Sequence, residues 1–182
     1  GDIHFICSDR RGVRALRETI TNRSLGAVLR GDVELVRDVR ADRDGIRTFL
    51  CVDSVRLKFE IVFESRIDVD GILDPRVGVP ALRPHHAIAE KLLANADRGL
   101  DESALARDLV DLAFAAASFG KPTFPEGLAV AEEAYGTATR RYLNASLNAF
   151  RHRAHAARCI KSLGVDDIAT LRKGLRLLRG WL

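Results

Sequence analysis

The hydrophobic pattern of this chain changes period once, and that change constrains the fold more than any other feature. Over the first 70 residues, one short helical stretch aside, the dominant pattern is apolar side chains at every second position, as on the two faces of a strand. Ile3, Phe5 and Cys7 oppose Asp2, His4 and Ile6, while Leu57, Phe59 and Ile61 oppose Lys58, Glu60 and Val62. From Pro84 onward they recur every three or four residues, the spacing of amphipathic helices. Between Asp68 and Pro84 the chain carries Pro75, Pro80, Pro84 and two glycines, which read as a connection. Such a chain is predicted to be α+β, with a sheet-bearing lobe over 1–80 and an all-helical lobe over 81–182.

Finer punctuation places the elements. A helix is expected over 11–23, where Val13, Leu16 and Ile20 share a face. Strands are expected at Val33–Val39, Ile46–Val52 and Val55–Phe63, with Asp44-Gly45 and Asp53-Ser54 at their joins, as hairpin turns favour. Pro84 suits the first turn of a helix that stops at Asp97-Arg98-Gly99. Asp101 can cap a second helix over about 102–118, ended by Gly120 and Pro122. A helix pair covers about 126–163 with a break near Gly136, and Asp166 or Asp167 caps a last helix to about Arg179.

Several function classes drop out. With 182 residues and 47% apolar content, the chain can build a core. No apolar run approaches the roughly 18–20 residues a membrane helix needs, so no membrane span is expected. No leader is visible, and with no methionine in the sequence, native residues are expected upstream of Gly1. Cys7, Cys51 and Cys159 are odd in number and without a CxxC, which predicts reduced thiols in a cytoplasmic protein. No glycine-rich phosphate loop, dinucleotide fingerprint or nucleophile elbow is present.

Charge is unevenly spread beneath a net value of +4. Residues 140–182 carry 10 Lys and Arg against Asp166 and Asp167 only, and of the 29 cations in the chain 24 are Arg, whose planar fork suits phosphate. Arg140, Arg141, Arg151, Arg158, Arg172 and Arg179 are therefore candidate contacts to an RNA backbone. Arg-rich coding and ordinary solvated helix faces account for the same composition.

Two constellations can carry chemistry. Asp2 and His4 share one strand face and Glu60 lies on the polar face of another; convergent, they would offer a divalent cation its ligands. By spacing alone they also fit the solvated face of an antiparallel sheet. On the helices, Lys91 stands amid Ile88, Leu92 and Ala94, and Asp108 and Asp111 lie three apart on one face. Amphipathic helices with ordinary salt links give the same pattern. His85-His86 at a helix start and His152 with His155 can be read as metal ligands, or as surface residues.

Taken in order, these segments resemble the AbiEii/AbiGii family of nucleotidyltransferase toxins, MenT-type members included. Asp2-Ile3-His4-Phe5 resembles the family's D-I-D-F strand and Leu57-Lys58-Phe59-Glu60-Ile61 its K-h-[DE]-h strand, h being apolar. Ala89-Glu90-Lys91-Leu92-Leu93-Ala94 resembles A-x-K-h-x-A, and Arg107-Asp108-Leu109-Val110-Asp111-Leu112 resembles R-D-h-h-D-h. The likeness runs from Asp2 to about Phe114. It departs in two places: the Gly-Ser strand and turn expected before the first motif is absent, and His4 replaces an acid. The resemblance implies a nucleotidyltransferase-like fold that moves a nucleoside monophosphate from an NTP to RNA, the tRNA 3′ acceptor end above all, to block translation. Asp2, His4 and Glu60 would hold Mg²⁺ or, given the imidazole, Mn²⁺. Lys58 and Lys91 would bind the nucleotide; Asp2, Lys91, Asp108 and Asp111 would be the catalytic set. A cognate antitoxin is the implied partner. The contrasting expectation is a degenerate fold that binds RNA or protein without catalysis.

Overall fold

A computed structural model describes residues 2–31 and 33–182, and the chain divides into two units, Gly1–Val69 and Asp70–Leu182. The fold is α+β, a sheet followed by helices, as the change of period predicts.

In the first unit, β1 (Asp2–Cys7) and α1 (Arg10–Thr19) precede β2 (Glu34–Leu35), β3 (Arg40–Asp42), β4 (Gly45–Val52) and β5 (Val55–Phe63). The sheet order is β1-β5-β4-β2, with β3 also on β4; β1 runs parallel to β5 and the other pairs are antiparallel. The two-residue turn at Asp53-Ser54 holds both residues at positive φ (48° and 64°), the twist a tight hairpin requires. Val52 therefore pairs with Val55, and the register runs outward to Gly45 opposite Val62. Gly45 has φ 154°, and a Cβ there would stand 2.3 Å from the Ile61 carbonyl oxygen, so the strands meet only over glycine. One sheet face buries Ile46, Leu50, Phe59 and Ile61 together with Leu25 and Val39, and Ile3, Phe5 and Leu16 pack against them. The other face carries the charges.

Two expectations in this unit are corrected. Helix α1 ends at Thr19 rather than 23, because Ile20 turns extended and Thr21 bridges back to Ser24. The strand expected at Val33–Val39 shrinks to two pairs, Glu34 with Cys51 and Leu35 with Leu50. The ladder breaks where the buried Thr48 hydroxyl donates to the Arg37 carbonyl (2.8 Å) and the Val39 amide turns to the Asn22 carbonyl (2.7 Å).

The second unit opens with a hairpin, β6 (Gly71–Asp74) and β7 (Val79–Leu82), where a plain connection was expected. Pro75 and Gly78 belong to its turn, closed by the Gly78 amide donating to the Asp74 carbonyl (2.8 Å). Six helices follow: α2 (Pro84–Arg98), α3 (Arg107–Phe119), α4 (Thr123–Tyr135), α5 (Ala138–Ala149), α6 (Arg153–Leu163) and α7 (Ile168–Trp181). Of the two acids expected there, Asp166 or Asp167, it is Asp167 that caps α7, accepting from the Thr170 amide (2.9 Å). The helix expected from 102 is interrupted: Asp101 caps only a 3₁₀ turn, Glu102–Ala104, before Leu105 and Ala106 turn left-handed (φ 55° and 52°). The stretch expected as a helix pair is three helices, with a second break at Phe150–His152. Leu92, Leu109, Leu112, Leu143, Leu171 and Leu178 form the interior of this unit. Helices α3 and α7 approach so closely that a Cβ on Gly174 would lie 1.8 Å from the Ala113 carbonyl oxygen.

Candidate functional site

In the first unit the strand register assembles the polar face. Because β1 and β5 are parallel with Asp2 opposite Lys58 and His4 opposite Glu60, all four side chains leave the same face of the sheet. Arg47, opposite Glu60 on β4, completes the row. Glu60 is the hub. Its Oε1 accepts from Arg47 Nε at 2.8 Å and its Oε2 from Lys58 Nζ at 2.5 Å, while Arg47 Nη1 also donates to Asp42 at 3.0 Å. Burial alone would raise the Glu60 carboxyl, but the bonds from Lys58 and Arg47, with a smaller electrostatic effect of His4, hold it below the usual carboxylate range. Two carboxylates and an imidazole are suitable donor types for a divalent cation, but among the described residues Asp2, His4 and Glu60 are not a group whose ligand atoms lie within 4.8 Å of one another. A cation at Glu60 competes with the charges of Arg47 and Lys58, since each oxygen already accepts from a basic side chain.

In the second unit the site is built at the start of α3. Two consecutive left-handed residues other than glycine are each costly, of the order of 1–2 kcal/mol. They turn the chain so that Asp108, 1% exposed, enters the interior. Arg98, last residue of α2, meets it as a fork: Nε to Oδ2 at 2.7 Å and Nη2 to Oδ1 at 2.9 Å. The bonds to Asp108 hold the Arg98 guanidinium pKa above its ordinary value. Lys91, two turns earlier on α2, reaches Asp111 Oδ2 at 2.5 Å and lies 3.8 Å from Asp108 Oδ1. Its side chain remains 43% exposed, so it is anchored yet open to solvent.

The arginines of the last helices are exposed, but not equivalent. Arg140 donates to Glu132 (2.6 Å) and Arg158 to Glu102 (3.2 Å), whereas Arg141 lies over the Tyr142 ring. Arg151 sits in the break before α6 and so does not share a helix with Arg158. Arg172 and Arg179 do share α7, and Arg179 reaches the Leu147 carbonyl at 3.5 Å. His155 packs edge-on to Phe150 and beside Cys159. His85 and His86 stand with Asp70 in the second unit. A cavity of about 910 Å³ in the first unit lies against α1, lined by Ser8, Arg10, Arg14, Arg17 and Phe63, and none of the expected site residues lines it.

Sequence reasoning missed Arg47 and Asp70. Arg47 had a signal: counting outward from the Asp53-Ser54 turn puts it opposite Glu60. Asp70 had none, because its meeting with His86 depends on how the hairpin returns to α2.

The family described as nucleotidyl transferase AbiEii toxin of type IV toxin–antitoxin systems matches residues 1–176, and the chain belongs to that family. No curated protein and no solved structure matches it. Among the described residues no helix is long and apolar enough to cross a membrane, and the three cysteines are free.

Proposed function

We propose that this member of the AbiEii nucleotidyl transferase toxins moves a nucleoside monophosphate from an NTP to a hydroxyl of tRNA, at the 3′ acceptor end, in the cytoplasm. The bond formed joins the RNA hydroxyl oxygen to the α-phosphorus, the bond broken is that to the β-phosphate oxygen, and pyrophosphate leaves. The observation that carries the reading is Lys91, a half-exposed side chain whose ammonium is held at 2.5 Å by Asp111 beside the buried Asp108–Arg98 fork. A point charge so anchored suits triphosphate oxygens, where it stabilises charge that grows in the transition state. Asp111 and Asp108 orient it, and Asp111, 49% exposed, is the better base toward the attacking hydroxyl. Asp2, His4 and Glu60 would hold Mg²⁺ or Mn²⁺, which supplies charge neutralisation at the phosphates. Lys58, released from Glu60, adds a cation for the nucleotide. Arg141, Arg151 and Arg172, with Arg140, Arg158 and Arg179, grip the RNA backbone, and a cognate antitoxin opposes the activity.

A second reading is favoured by Glu60 itself. With both oxygens accepting from Arg47 and Lys58, and His4 where the family resemblance has an acid, the sheet face is also compatible with a degenerate fold that binds RNA or protein without catalysis. Incubation with labelled NTPs, Mg²⁺ or Mn²⁺ and total tRNA, resolved on a gel, separates the two. A labelled tRNA band supports transfer; tRNA retained by the protein but never labelled supports the binding module.

A further inference from the structure

We infer that Asp70, His85 and His86 form a site for a divalent transition-metal cation of the zinc class, separate from any magnesium of the transfer reaction and independent of that functional reading. Each residue offers one ligand atom, and the three atoms lie within 4.8 Å of one another. Ligands to zinc stand about 2.0–2.2 Å from the ion, so small side-chain rotations close this set around it.

The surroundings select the ligand atoms. Arg83 Nε donates to Asp70 Oδ2 at 2.7 Å, which fixes the carboxylate and leaves Oδ1 facing His86 Nδ1 at 2.9 Å. The Asp70 amide donates to the same nitrogen at 3.1 Å, a bond that an ion taking the Nδ1 lone pair replaces. His85 lies beside His86 with ring centroids 4.2 Å apart, and Glu126 Oε2 stands 3.8 Å from His85 Nδ1, a carboxylate able to orient that ring as second partners of metal-bound histidines do. Both imidazoles are sheltered, with side chains 27% and 13% exposed. Because they occupy the first turn of α2, the helix dipole opposes a cation there; the charges of Asp70 and Glu126 offset it.

Two imidazoles and one carboxylate favour zinc and its neighbours over Mg²⁺, which prefers oxygen and octahedral geometry. Three protein ligands leave a position for water. The ion ties Asp70 to the first turn of α2 and so closes the base of the β6–β7 hairpin, where Gly71 already pairs with Leu82.

The test uses the full chain without a polyhistidine tag, titrated with ZnCl₂ in metal-free buffer by calorimetry, and with CoCl₂ by visible absorption. One zinc equivalent is expected, displaceable by Co²⁺ with the absorption bands of a four- or five-coordinate ion. His86→Ala and Asp70→Asn should each weaken zinc at least tenfold, while His152→Ala binds as the unmodified chain does. Circular dichroism checks the fold, and His85→Gln replaces either variant that unfolds. Absence of a one-to-one zinc complex, or equal affinity in a folded His86→Ala or His85→Gln variant, overturns the site; loss of binding in His152→Ala assigns the ion to the last helices instead. Failure here leaves nucleotide transfer with Mg²⁺ untouched, so the two ideas fail separately.

Discussion

Glu60 and Asp108 are both neutralised by Arg and Lys side chains, yet they are built in opposite ways. Glu60 sits on a strand, 15% exposed, and takes one bond from each of Arg47 and Lys58, brought to it by sheet register and by its own strand. Asp108 sits at a helix start, 1% exposed, and gives both oxygens to one guanidinium, while Lys91 turns mainly to the exposed Asp111. In the first unit the acid is the centre and the cations serve it. In the second, the buried ion pair is a platform and the lysine is what it presents. A chain can thus hold one acid for exchange of partners and another for permanence, according to how far water reaches it.

Stability should report that difference. Arg98→Ala leaves an uncompensated carboxylate in the interior and should cost about 3 kcal/mol in urea denaturation, at the lower end for a broken buried pair because Arg98 is itself partly exposed. Arg47→Ala leaves Glu60 with Lys58 and with water, and about 1 kcal/mol is expected. If the two variants lose the same amount, the contrast between platform and exchangeable centre is wrong.

Acid should sharpen it. The Glu60 carboxyl lies below its unfolded value of about 4.3, so its stabilisation is complete above that value and is lost as pH falls through the lower folded one. Melting temperatures followed from pH 7 to pH 3 should fall more steeply for the unmodified chain than for Glu60→Gln, which has no such proton to take up. Parallel curves would mean that Glu60 contributes nothing to acid sensitivity.

The arginines are expected to give the smallest single effects. Arg141, Arg151 and Arg172 should each weaken tRNA binding a few-fold on charge reversal and reduce the salt dependence by about 0.7–0.9 in log–log slope per lost phosphate contact. Arg140 and Arg158, already bonded to Glu132 and Glu102, should matter less. Filter binding across a salt series measures both. A uniform response over all five would assign the effect to net charge rather than to particular contacts.

What was legible in the sequence follows from how local its cause is. The β4–β5 hairpin and the α7 cap were readable because Asp53-Ser54 and Asp167 act within a few residues of themselves. The shared face of Asp2, His4, Lys58 and Glu60 was half readable: strand parity gave each face, and the parallel pairing that joins them spans more than fifty residues. The strand at Val33–Val39 failed because one buried hydroxyl, Thr48, competes with the ladder from the neighbouring strand. The β6–β7 hairpin was hidden by prolines that signal a connection but here serve a turn and an edge strand. Leu105 and Ala106 carry no sign of left-handed backbone at all, since neither is Gly or Asn.

Lys91→Ala separates a lysine presented to a phosphate from one kept as a structural ion pair. With labelled NTP and tRNA, transfer by this variant should fall at least a thousandfold, about 4 kcal/mol of barrier, while its circular dichroism and melting temperature stay close to those of the unmodified chain. Undiminished transfer would remove Lys91 from the site, and loss of the folded state would return it to the role of a salt link between helices.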